Sequence, residues 1–147
     1  METPIGRILL EADENGVCAL RFHACKAVSD AHPVLDMAEL ELNEYFAGRR
    51  RRFSVPLSIH GTDFQKKVWR ALTEIPYGAT ASYLDIAEAV GNPKACRAVG
   101  MANHVNPLPV FVPCHRVVGK NGKLTGYAGG LEMKQFLLEL ERTHAEV

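Results

Sequence analysis

Between Ser82 and Asn103 the chain closes one helix and opens another with almost nothing in between. Ser82 is a good helix N-cap, and Tyr83, Ile86, Ala87 and Val90 then recur at the i, i+3, i+4, i+7 spacing of a single helical face. Gly91 suits the left-handed backbone of a helix stop. Asn92 and Pro93 supply the next cap and first-turn residue, which predicts a second helix over about Pro93 to Asn103. Two helices joined this tightly make a helix-turn-helix, which serves packing in some proteins and DNA binding in others.

On the N-terminal side of this motif the pattern changes character near His60-Gly61. Before it, Ile5–Leu10 and Val17–Phe22 are short apolar runs separated by a segment ending in Asn15-Gly16, the signature of a β-hairpin. Leu35, Ala38, Leu42, Tyr45 and Phe46 follow at helical spacing with Gly48 as the stop, and Phe53–Leu57 reads as a further strand. The basic run Arg49–Arg52 between them is read as a solvated face. After the change, Thr62 and Gln65 match a capping box ahead of Phe64, Val68, Ala71 and Leu72, and the last helix carries Met133, Phe136, Leu137 and Leu140 on one face. The expected division is an N-terminal sheet-plus-helix lobe over 1–58 and a helical C-terminal lobe over 59–147, an α/β (α+β) architecture.

Charge discriminates between the two parts although the total does not. The chain of 147 residues balances 17 Lys and Arg against 17 Asp and Glu, yet from Ala89 to Leu131 it holds Lys94, Arg97, Arg116, Lys120 and Lys123 and no acid at all. A solvated loop face and a phosphate-binding surface both fit such a stretch. No apolar run approaches the length of a membrane span, and the N-terminus lacks a basic region followed by an apolar one, so the expectation is a soluble cytoplasmic protein, nuclear if eukaryotic. Cys18, Cys25, Cys96 and Cys114 contain no C-x-x-C pair and read as reduced thiols. Cys18, His23 and Cys25 are a weak metal set, since an alternating strand sends Cys18 and His23 to opposite faces and a fourth ligand is not evident, so no metal is expected.

Asn106-Pro107-Leu108-Pro109 leads into Val110-Phe111-Val112, read as extended, and then into Pro113-Cys114-His115-Arg116-Val117-Val118. A cysteine is a nucleophile as thiolate, which nearby His or Arg promotes, but in a regular strand His115 would point away from Cys114. Productive contact needs a bent backbone or a bridging water. The ordinary alternative is a small buried apolar Cys.

The segment Pro113–Val118 resembles the signature of the O6-alkylguanine-DNA alkyltransferases. The resemblance continues through Phe64-Gln65, Val68-Trp69, Ile75-Pro76-Tyr77-Gly78, Ser82-Tyr83, Gly91–Ala95, Arg97–Gly100, Asn106-Pro107 and Gly129-Gly130-Leu131 to Glu141, and is looser before residue 59, where Thr3-Pro4-Ile5-Gly6 carries it. It implies a ribonuclease H-like N-terminal lobe and a winged helix-turn-helix-like C-terminal lobe. It further implies direct reversal of DNA damage: O6-alkylguanine, chiefly O6-methylguanine, is flipped out of duplex DNA and its alkyl group moves irreversibly to Cys114 in one turnover. This is the activity of a methylated-DNA-[protein]-cysteine S-methyltransferase.

By the same resemblance His115, water-linked, and Glu141 activate Cys114, and Tyr83 donates to the departing base. Arg97 enters the base stack, with Lys94, Ala95, Cys96, Ala98 and Arg116 at the DNA in the minor groove. Asn106 serves as a hinge, and Val117, Tyr127 and Ala128 line the base pocket. A monomer with no cofactor and no membrane partner is implied. Three departures from relatives stand out: Cys96 where alanine is frequent, Ala128 where some have serine, and an N-terminal strand that looks missing ahead of the first hairpin. The alternatives are a non-catalytic alkyltransferase-like lesion sensor, a helix-turn-helix regulator and, more distantly, a cysteine hydrolase.

Overall fold

The computed structural model describes residues 1–22, 32–127 and 129–145. The chain divides into two compact units, Met1–His60 and Gly61–Val147.

In the first unit β1 (Glu2–Thr3), β2 (Gly6–Asp13) and β3 (Gly16–Phe22) form an antiparallel sheet in that order, followed by α1 (Pro33–Phe46). The period-2 pattern brings Ile8 and Leu10 of β2 into the core with Val17 and Leu20 of β3, and α1 adds Ala38, Leu42 and Tyr45. The short β1 pairs with part of β2, and the Met1 ammonium also donates to the Ile8 carbonyl at 3.0 Å.

The strand expected at Phe53–Leu57 does not form. Its Ser54 and Val55 amides donate instead to the buried Glu41 carboxylate at 2.8 and 3.0 Å, and Pro56 has no N–H to give, so a single bridge from Val17 to Leu57 is all the pairing left. Of the basic run, Arg50 folds back onto Glu44. Gly16 lies at φ 150°, and a Cβ there would stand 2.4 Å from the Pro56 carbonyl oxygen. Gly16→Ala is therefore expected to destabilise this unit by about 1–3 kcal/mol, seen as a lowered urea midpoint with unchanged m-value.

In the second unit α2 (Asp63–Thr73) starts at the capping box that Thr62 and Gln65 predict, and its Trp69 indole donates to the Ala102 carbonyl at 2.9 Å. β4 (Ala81–Ser82) runs directly into α3 (Tyr83–Ala89), capped by Ser82, and Gly91 at φ 83° ends it. The next helix, α4 (Cys96–His104), begins three residues later than its proline suggests. Asn92 closes a turn, its side chain accepting from the Lys94 amide at 3.3 Å and its carbonyl from the Ala95 amide at 3.0 Å, so Lys94 and Ala95 precede the helix rather than ride on it.

Val110–Val112 is not extended. It is a tight turn bridged from Pro109 to Val112, with buried Val110 at φ 74°, a conformation rare for a β-branched residue. Cys114–Arg116 forms one turn of 3-10 helix, β5 (Val117–Val118) pairs in parallel with β4, and α5 (Leu131–Ala145) packs against the 3-10 turn. The buried face of α5 comprises Met133, Lys134, Leu137, Leu138 and Glu141, whereas Phe136, expected inside, is 37% exposed. Among the described residues no helix is long and apolar enough to cross a membrane.

Candidate active site

Cys114 is 3% exposed and sits at the start of the 3-10 turn, with His115 fully buried behind it. The bent backbone that a Cys-His partnership requires is thus present, and Pro113 leads into it. Asn106 fixes the approach: its Nδ2 donates to the Val112 carbonyl at 3.0 Å while its Oδ1 accepts from the Leu108 amide at 3.0 Å, which sets the side chain beside Cys114. Tyr127, also buried, lies beside the Cys114 thiol, and burial first and then the thiol push its hydroxyl pKa well above the usual value.

Glu141 lies on the inner face of α5 and is 1% exposed. Its Oε2 stands 2.6 Å from His115 Nε2, and Arg116 binds both of its oxygens, Nε at 2.7 Å and Nη2 at 3.0 Å. Burial opposes the Glu141 charge, but His115 and Arg116 outweigh it and bring its pKa down to about 2. An ionised carboxylate only accepts, so His115 Nε2 must carry the hydrogen. Burial also lowers the His115 pKa, which keeps the ring neutral. Its Nδ1 is then a bare lone pair, buried and without a hydrogen-bond partner among the described residues. A buried imidazole nitrogen with a free lone pair has the protonation state that a general base requires.

Burial pushes the Cys114 thiol up to about 11, against a pull downward from Asn106 and from Lys134. At neutral pH only about one thiol in ten thousand would ionise unaided. A neighbouring base is needed to take the proton, and a neighbouring cation to hold the charge. Lys134, buried on α5, supplies the cation: its Nζ donates to the carbonyls of Val117 and, at 3.3 Å, Thr125. Sequence reading missed Lys134. The signal was the spacing, since Lys134, Leu138 and Glu141 fall at i, i+4 and i+7 of one helical face.

The structure also separates residues that the sequence grouped. Arg116 does not face solvent as a phosphate contact would; it is 7% exposed, tied to Glu141 and to the Ile75 carbonyl at 2.8 Å, and stacked 5.7 Å from the Tyr77 ring centre. The guanidinium is consumed as the counter-ion that keeps Glu141 ionised. Lys94, Arg97 and Ala98 are exposed and Ala95 and Cys96 half-buried, so the turn and the first part of α4 present one cationic surface of short side chains, continued by Met101 at 61% exposure. Tyr83, half-buried at the start of α3, has its hydroxyl 2.6 Å from Thr125 Oγ1. Val117 is wholly buried in β5, and Ala128 lies outside the described residues. Cys18 is half-buried in β3, while His23 and Cys25 lie outside the described residues; among those described, no three His, Cys, Asp or Glu side chains are grouped to hold a metal.

Residues 63–143 match the family model for the 6-O-methylguanine DNA methyltransferase DNA-binding domain, and residues 1–59 match the model for the ribonuclease-like domain of the same family. The chain belongs to the 6-O-methylguanine DNA methyltransferase family. Methylated-DNA--protein-cysteine methyltransferase of Methanosarcina acetivorans is 52% identical over 95% of this chain and 94% of its own length. The constitutive enzyme of that name from Bacillus subtilis is also 52% identical, over 96% and 92%. Among solved structures, Mycobacterium tuberculosis O6-methylguanine methyltransferase superposes with a TM-score of 0.88 at 44% identity, over 98% of this chain and 91% of that one. The same organism's OGT, solved in complex with DNA, gives the same score at 46% identity. The α/β architecture of this methyltransferase family, a small sheet lobe and a helical lobe, is the one found here.

Proposed function

We propose that this methyltransferase-family protein repairs DNA by direct reversal, moving the alkyl group of O6-alkylguanine to Cys114 in a single turnover. The observation that carries the reading is the buried His115–Glu141 pair, with His115 on the same 3-10 turn as buried Cys114, in which a neutral imidazole held by an ionised carboxylate keeps a bare Nδ1. His115 Nδ1 takes the thiol proton, directly or through one water. The sulfur then attacks the alkyl carbon in line, forming S–C as C–O6 breaks, and the electron pair leaves with guanine. Tyr83 donates a proton to the base as that charge develops. Tyr127 and Lys134 sit beside the sulfur, and the Lys134 ammonium favours the thiolate.

The product is a thioether, a poor leaving group, so Cys114 is spent. The reaction needs duplex DNA and no cofactor. The free thiols Cys18, Cys96 and Cys114 suit a reducing cytoplasm.

For the reacting atom to reach a buried thiol the nucleotide must leave the stack, at a cost of a few kcal/mol. Arg97, exposed on α4 among Ala95, Cys96 and Ala98, is the side chain able to fill the gap in the minor groove. Arg97→Ala is expected to slow single-turnover transfer from duplex DNA by about tenfold or more while sparing transfer from the free alkylated base. Equal losses on both substrates would deny Arg97 that role.

With DNA carrying a radiolabelled O6-methyl group, the reading predicts that label uptake stops at one methyl per chain and that unmodified guanine is restored. Continued turnover would contradict the stoichiometric mechanism. Binding without uptake would favour a lesion sensor.

A further inference from the structure

The Tyr83 hydroxyl is 2.6 Å from Thr125 Oγ1, and Thr125 lies in the loop between β5 and α5. Behind the threonine stands Lys134, whose Nζ is 3.5 Å from Oγ1 and 3.3 Å from the Thr125 carbonyl. An ammonium has three hydrogens and no acceptor, so toward Lys134 the threonine hydroxyl can only accept. Its single hydrogen is then turned away from the cation, and the phenol oxygen at 2.6 Å is the near acceptor for it. With that polarity Tyr83 Oη accepts from Thr125 and keeps its own hydrogen free. In the opposite polarity the phenol would spend its hydrogen on Thr125 and have none for a base.

We propose that Thr125 is a positioning residue for the transfer reaction, its hydroxyl held by Lys134 so that the Tyr83 phenol hydrogen faces the departing guanine. The inference rests on the reading of Tyr83 as the proton donor to the base. A hydrogen-bond chain anchored on a cation is polarised along its length, so the far hydrogen is also the more acidic for it. Thr125 is well placed for this because its loop is pinned twice, through the Lys134 contact with its carbonyl and through the Gly119 amide donating to the Lys123 carbonyl at 2.8 Å. The described hydrogen-bond partners of the hydroxyl are Tyr83 and Lys134, which places it on the Tyr83 side of the site.

The test uses the full chain with O6-methylguanine duplex DNA, reading single-turnover rate and DNA affinity separately. Thr125→Val keeps the shape and removes the hydroxyl; the expected result is about tenfold slower transfer at unchanged affinity, with Thr125→Ser within about twofold of wild type. In a Tyr83→Phe background Thr125→Val is expected to add nothing, because the group it orients is gone. If Thr125→Val does not fold, Thr125→Ala takes its place in the same comparisons. A hydroxyl-free variant at the wild-type rate, a serine variant as slow as the valine one, or full additivity with Tyr83→Phe each overturns the proposal. A wild-type protein that takes up no methyl would instead overturn the functional reading beneath it.

Discussion

Glu141→Ala is expected to lower the unfolding free energy by about 3–5 kcal/mol, because it leaves the Arg116 guanidinium buried without its counter-ion and the His115 ring without its acceptor. A surface carboxylate on the last helix would cost well under 1 kcal/mol, so urea unfolding separates the two cases clearly. The same residue predicts an acid limb. Its folded pKa of about 2 lies below the ordinary 4.5, so the stability it confers is fully present above pH 4.5 and is lost as pH falls toward 2. Wild type should lose on the order of 3 kcal/mol through that window from this group, and Glu141→Ala should lose correspondingly less. Equal slopes in the two proteins would mean that the carboxylate is not held ionised by its partners.

The second large effect concerns rate. His115→Gln is expected to slow transfer to Cys114 by about a hundredfold to ten-thousandfold, the usual worth of a positioned general base, with DNA affinity nearly unchanged. The thiol cannot compensate, because its pKa stands at about 11. The pH profile should therefore change shape. Wild type should be level through neutral pH and fall on the acid side below 6.5, where His115, whose pKa burial lowers from that value, takes up a proton. His115→Gln should instead rise with pH toward about 11, following the bare thiol. A loss of less than tenfold, with an unchanged profile, would show that His115 does not take the proton.

Much of this was legible in local chemistry. Ser82, Thr62, Gly91 and the spaced apolar residues set the helices of the second unit, since caps and stops act within a few residues of themselves. What escaped the sequence depended on partners distant along the chain. Glu41 takes the amides that would have made Phe53–Leu57 a strand, across 13 and 14 residues. Arg116 reads as one more cation in an acid-free stretch, and only the arrival of Glu141 from 25 residues away turns it inward. Lys134 drew no reading from the sequence, yet it is buried while Phe136 is turned out, because carbonyls of Val117 and Thr125 satisfy the ammonium. The Pro113–Val118 motif pointed to the family and, through the resemblance, to His115 and Glu141, but not to the backbone bend or to Lys134. What the structure adds is the 3-10 turn in place of a strand, with Cys114 and His115 both buried on it and Glu141 2.6 Å from the imidazole.

The central claim is that Cys114 itself accepts the alkyl group and is consumed in doing so. Intact-mass measurement after incubation with excess O6-methylguanine duplex DNA, followed by peptide mapping, tests it most directly. The predicted result is the mass of one added methyl per chain, located on the peptide containing Cys114, with no gain in Cys114→Ser. An unchanged mass on a protein that binds the DNA, or a methyl found on Cys18, Cys25 or Cys96 instead, would contradict it.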